Sequence, residues 1–248
     1  MGLSQPERMH SADPAAPAAE FALRFLSAFE RDDPAAMRCE LEQATQACGL
    51  GTCLDDVLLP GMRAIGILWQ RGQCGIEKER LATECARAWL QSHEVLAPAP
   101  DPGPPVVLAC GPTDRHSLGL EALAILLRYQ GQGCRLLGAR VSTRTLMTAV
   151  RASRPAAVVI VSHLRVNHDR AAESLRSAEA WVPELFYAGE AFATARLRRD
   201  LPGTYLGTRL QDASSLILRS RLRTDTAKLK GVAALPDPGT PPEHADRR

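Results

Sequence analysis

The run Ala97-Pro98-Ala99-Pro100-Asp101-Pro102-Gly103-Pro104-Pro105 limits the fold more than any other stretch of the chain. Proline has no amide hydrogen and a fixed φ, so neither a helix nor an inner strand passes through such a segment. It prefers an extended, fairly stiff path and reads as a linker over 98–105. Apolar residues follow different periods on its two sides. Over 18–97 they recur three and four apart, as in Phe21, Leu23, Phe25, Leu26 and Phe29, and in Leu54, Val57, Leu58, Met62, Ile65, Leu68 and Trp69. That spacing marks amphipathic helices. Breaks at Asp32-Asp33-Pro34, Gly49-Leu50-Gly51-Thr52 and Arg71-Gly72-Gln73-Cys74-Gly75 predict about four helices, a helical bundle with short loops.

After the linker come short, continuously apolar runs separated by helical stretches. The runs are Val106–Cys110, Cys134–Gly138, Ala156–Val161 and Glu184–Ala188, with a shorter one near Thr204-Tyr205-Leu206. Helices are expected near Gly119–Gln130, Thr145–Ala152, Arg170–Trp181, Phe192–Arg199 and Gln211–Arg223. Apolar strands alternating with helices indicate a parallel sheet covered on both faces. The fold class is therefore α/β, a four-helix bundle followed over 106–230 by a flavodoxin-like or Rossmann-like doubly wound sheet of five strands. The segments 1–17 and 231–248, poor in large apolar residues and rich in proline, are expected to be disordered.

Charge excludes some functions. Thirty Lys and Arg against twenty-eight Asp and Glu give no basic surface for nucleic acid. The residues before Phe21 are too few and too rich in Pro and Ala for a DNA-binding module, and no direct nucleic-acid binding is expected. No run approaches the roughly 20 apolar residues that span a bilayer, and no signal sequence is seen, so a cytoplasmic protein away from membranes is expected. The seven cysteines include no Cys-x-x-Cys pair and suggest neither a disulfide framework nor structural zinc.

Ligands of doubly wound sheets bind outside the carboxyl ends of the strands. Three unusual segments fall there: Gly111-Pro112-Thr113-Asp114-Arg115-His116-Ser117-Leu118-Gly119, Ser162-His163-Leu164 and Gly189-Glu190. An Asp two residues before a His can hold one ring nitrogen, fixing the tautomer and raising the basicity of the other. Alone, this loop is a metal-ligand or acid/base candidate, or a surface histidine bonded to its neighbour. His163 is a rival ligand, but alternation along an extended segment should turn it away from the face shared by Ser162 and Leu164, toward the surface. His10, His93, His168 and His244 belong to no constellation.

Together, Asp-x-His-x-x-Gly, Ser-x-Leu and a glycine closing a later strand resemble the cobalamin-binding domain family, in the form where a protein histidine replaces the nucleotide base beneath cobalt. Pro60 to Trp69 is similar to the Trp-bearing helix of that family's bundle, so the resemblance covers about residues 20–225. It implies His116 as the lower axial ligand of cobalt and Asp114 as the partner that orients it. The flanking Arg115, Ser117 and Leu118 would border the corrin, and Gly119 would give it clearance. Ser162 and Leu164 would line the slot for the dimethylbenzimidazole tail, with Gly189 and Gly207 also beside the cofactor. Trp69 and Glu79 would face the upper ligand; as core or solvated-surface residues they would do neither.

Departures bear on function. Gly189 is followed by Glu190 where the family often has a second glycine. Light-sensing members carry a His directly after the Trp and a Glu-His pair beyond it, whereas Gln70 and Glu79-Arg80 stand here. The resemblance is closest to stand-alone light-responsive members. It implies a non-enzymatic sensory protein holding adenosylcobalamin, with room for a second, bilin chromophore such as biliverdin. Such a protein would signal by bundle rearrangement, by homo-oligomerisation or through a regulatory protein partner. The alternatives are a corrinoid methyl carrier of a methyltransferase system and a flavodoxin-like module with another ligand.

Overall fold

The computed structural model describes residues 15–233. Four helical segments form the first part: α1 (Ala15–Glu30), α2 (Pro34–Cys48), a long helix from Leu50 to Gln70, and α5 (Ile76–Leu96). The long helix comprises α3 (Leu50–Thr52), a π-helical stretch Cys53–Leu58 and α4 (Leu59–Gln70). Asp33 starts α2 by accepting the amide hydrogen of Ala36, with Pro34 in the first turn where its missing N–H is no loss. Only Gly49 breaks the chain between α2 and α3, at φ 83°, while Gly51 and Thr52 continue into the helix. Phe25, Leu41, Leu54, Leu58, Ile65 and Trp89 are wholly buried at the centre of the bundle.

The second part contains β1 (Val106–Cys110), α6 (Leu118–Tyr129), β2 (Cys134–Gly138), α7 (Thr143–Ser153), β3 (Ala157–Val161), α8 (His168–Glu179), β4 (Glu184–Ala188), α9 (Ala195–Arg198), β5 (Thr204–Tyr205) and α10 (Leu210–Ala233). All strands are parallel, in the order β2-β1-β3-β4-β5. This is the flavodoxin-like order, whose crevice opens between β1 and β3, where successive connections leave toward opposite faces. Period-two alternation divides the strands between two cores. Val106, Leu108, Val159 and Phe186 face α6, α10 and the bundle, whereas Val107, Val158, Ile160 and Tyr187 face α7 and α8. The edge strand β2 is less covered, with Arg135 and Leu136 exposed.

Three expectations about elements change. The helix read as Phe192–Arg199 is a 3-10 turn, Glu190–Phe192, followed by the short α9. Extended Thr194 interrupts it and begins α9 by accepting the amide of Leu197. Helix α1 starts at Ala15, with Pro17 tolerated in its first turn, and α10 continues to Ala233, beyond Arg223. The rest of the end segments, including His10 and His244, lies outside the described residues.

The two parts are fastened through the π-helical stretch. Asp55, nearly fully buried there, accepts the backbone N–H groups of Leu210 (2.6 Å) and Gln211 (3.1 Å) and so caps α10 from another element. Next to it, Asp56 takes two hydrogen bonds from the Arg209 guanidinium, at 2.8 and 3.0 Å. Ion pairs Arg87–Glu121 and Arg128–Glu94 tie α5 to α6. Among the described residues no helix is long and apolar enough to cross a membrane.

Candidate functional site

The loops after β1 and β3 meet at the switch point, held by Gly111 donating its amide hydrogen to Val161 O (2.9 Å) and Ser162 donating to Ala188 O (3.0 Å). Thr113 takes a left-handed conformation (φ 69°), turning the chain so that the Asp114 side chain points inward while its carbonyl accepts the N–H of Arg140 at 2.8 Å. Asp114 is completely buried. Its Oδ1 accepts both the backbone N–H and the ring Nδ1 of His116, each at 2.9 Å. Its Oδ2 accepts the backbone N–H of His163, whose ring Nδ1 lies 3.4 Å away. With Nδ1 turned to the carboxylate, His116 leaves Nε2 as the nitrogen for a metal, on a side chain that is 59% exposed.

The electrostatics agree with this geometry. Burial works against the charge on Asp114, but the hydrogen bonds from the His116 ring and from the backbones of His116 and His163, with the His163 ring close by, outweigh it and hold the carboxyl far below the usual range. His116 is raised, chiefly by its bond to Asp114, against some loss from burial. Glu79 also raises it, so the carboxylate on α5 acts electrostatically on the imidazole. Cys110, at the end of β1, is pushed up to about 12 by burial and is an inert thiol.

The other sequence-derived residues fall in different settings. Arg115 is exposed, whereas buried Ser117 donates its hydroxyl to Glu121 Oε1 (2.7 Å). Leu118 and Gly119 open α6, and a Cβ on Gly119 would lie 3.9 Å from Leu59 of the bundle. Ser162 is buried with its hydroxyl unpartnered, and Leu164 is 47% exposed. Gly189 has φ 103°, and a Cβ there would fall inside the Ser162 carbonyl. Gly207 is also left-handed, at φ 78°, in open space two residues before Arg209. Trp69 is 42% exposed on α4; the tryptophan of the bundle core is Trp89. Glu79 accepts the hydroxyl of Thr83 at 3.1 Å.

The expectation for His163 is overturned. Alternation fails because β3 ends at Val161: capture of the His163 amide by Asp114 bends the backbone and brings its ring to 5.5 Å from that of His116. Asp114, His116 and His163 thus place three potential ligand atoms within 4.8 Å of one another. Asn167 was also missed. Its Oδ1 accepts the Thr113 hydroxyl (2.7 Å) while its Nδ2 is buried and unpartnered. A second His at the same sheet edge was a usable signal for His163; for Asn167 there was none.

Comparisons with known proteins match part of the bundle and the overall fold. Residues 28–92 match a family model described as a B12 binding domain. Over 101 residues, 41% of this chain, the sequence is 38% identical to the HTH-type transcriptional repressor CarH of Myxococcus xanthus, and the chain spans 33% of that relative's length. The fold resembles a monomethylamine corrinoid protein from Methanosarcina barkeri, with a TM-score of 0.67 and 11% identity, over 81% of this chain and 98% of the other.

Proposed function

We propose that this chain, part of which matches a B12 binding domain, is a cobalamin-binding sensory or regulatory protein that holds adenosylcobalamin, with His116 as the lower ligand of cobalt. The buried Asp114 carboxylate carries this reading. A buried charge is costly unless paired, and here it serves to fix one nitrogen of an imidazole whose other nitrogen faces open space.

The residues fit the cofactor. Among the described residues, five buried side-chain nitrogen or oxygen atoms lack a partner, and three of them, Ser162 Oγ, His163 Nδ1 and Asn167 Nδ2, lie in the single loop after β3. His163 Nδ1 faces Asp114, and the unpartnered Ser162 Oγ and Asn167 Nδ2 suit a polar guest. Bare Gly189 lets the end of β4 pack directly against the Ser162 backbone, in the loop assigned to the tail. Glu79 and half-exposed Trp69 would meet the upper side. When bound, adenosylcobalamin supplies a cobalt–carbon bond that light breaks. The protein's part is to hold His116 by Asp114, to receive the tail along Ser162 and Leu164, and to pass changes at the upper side into the bundle.

Similarity to a transcriptional repressor favours regulation, and the form proposed for it is a photoreceptor. A bilin beside the corrin belongs to the same reading. Signalling would run through a homo-oligomer or a protein partner, in the cytoplasm. The fold of the corrinoid neighbour keeps the methyl carrier as the alternative.

The test is an absorption spectrum and size-exclusion profile of purified protein with adenosylcobalamin, dark and illuminated. Stoichiometric binding is expected, with a base-off spectrum that His116→Ala disturbs, and a light-dependent change in spectrum and assembly. Absence of binding sinks the cofactor assignment. Binding without any light response favours the methyl carrier, and an additional red band would mark a bilin.

A further inference from the structure

We infer that His163 is a positioning residue for the cobalt ligand: it places a second imidazole on the Asp114 carboxylate, limits the charge reaching His116 and so weakens the His116–cobalt bond. This rests on the reading of His116 as lower ligand. Asp114 is sealed from solvent, so its two oxygens are served by protein groups alone. One oxygen belongs to His116 through two hydrogen bonds. The other faces His163 twice, through the amide hydrogen and through ring Nδ1 at 3.4 Å.

That Nδ1 is enclosed and has no hydrogen-bond partner. An enclosed ring nitrogen is costly when left unmatched, and closing the remaining gap to Asp114 would satisfy it in the Nδ1–H tautomer. The rings are 5.5 Å apart and inclined by 59°, so they flank the carboxylate without stacking on each other. A carboxylate that accepts from one imidazole makes the far nitrogen of that ring a better donor. Shared between two rings, the same charge strengthens each less. Because the backbone amide of His163 also anchors Asp114, substituting the ring leaves the carboxylate moored and the protein folded.

The experiment loads full-length His163→Ala, His163→Phe and His163→Asn proteins with cobalamin. It compares the axial nitrogen splitting in the electron paramagnetic resonance of the cobalt(II) state and the ratio of His-on to His-off absorption. Asn keeps an N–H donor near the position of Nδ1 and should read as wild type. Ala and Phe should show a larger nitrogen splitting and a several-fold higher His-on ratio, less than the about 10–100-fold attached to losing a direct outer partner. Identical spectra in all four proteins, or a lower His-on ratio in Ala and Phe, would overturn the inference. If wild type fails to bind cobalamin, or His116→Ala leaves its spectrum unchanged, the lower-ligand reading itself fails and this inference with it.

Discussion

At the scale of residues, the organising feature is one carboxylate. Replacing Asp114 by Asn keeps the shape but removes the charge and sets its NH2 donor against one of the two backbone N–H groups, that of His116 or of His163. About 1–3 kcal/mol of stability should be lost through unsatisfied buried groups. The pH dependence follows from the two shifts. Asp114 is depressed, so its contribution is present above the ordinary carboxyl value and lost as pH falls through the folded one. His116 is raised, so its contribution is complete below the ordinary imidazole value and lost as pH rises through the folded one. Urea unfolding of cofactor-free protein should therefore show the largest gap between wild type and Asp114→Asn from about pH 4 to 6.5; a gap constant across pH would contradict the assignment. Gly189→Ala should also be poorly tolerated, because at φ 103° its methyl would enter the Ser162 carbonyl. It should lower the melting temperature and weaken cobalamin binding together, as read by calorimetry and titration; unchanged affinity would place the tail elsewhere. The Asp-x-His pair could be read from the sequence because its chemistry depends on a two-residue spacing. The place of His163 could not, since a single amide captured by Asp114 decides it.

At the scale of elements, apolar runs and helical periods located the strands because parallel strands buried on both faces must be apolar throughout. What escaped was set by hydrogen bonds rather than hydrophobicity. Thr194 cut a helix that the pattern joined, and the π-helical stretch Cys53–Leu58 has an ordinary helical composition. Its extra residue per turn broadens the helix just where Asp55 and Asp56 reach the start of α10. Asp55→Ala should cost about 1–3 kcal/mol, the cost of a lost cap and of buried amides left unpaired. Amide exchange at Leu210 and Gln211 should quicken while the strands stay protected. Unchanged protection at those two amides would mean that the α10 terminus does not depend on Asp55.

At the scale of the whole molecule, a sheet and a helical bundle joined by a proline linker could have been independent bodies. They share a core instead: Val106, Leu108, Val159 and Phe186 belong to the same apolar cluster as Phe25, Leu54 and Trp89. Asp55, Asp56 and Arg209 fasten the start of α10 to the bundle at one end of that cluster. A guest lying between the His116 loop and Glu79 would touch both parts at once, and its binding energy would stabilise them as one. Tryptophan makes this measurable. In Trp181→Phe protein the remaining emission comes from Trp69 and Trp89 in the bundle, whereas circular dichroism follows all the helices and strands. Without cofactor the two probes should give one melting midpoint. Free cobalamin at 100 times its dissociation constant should then add about 2.7 kcal/mol to the stability both report. Combining Asp55→Ala with Arg209→Ala should separate the midpoints. If they are already separate in the parent protein, the bundle is not coupled to the sheet through this contact, and a change at the upper face would have to reach a partner without moving the two parts together.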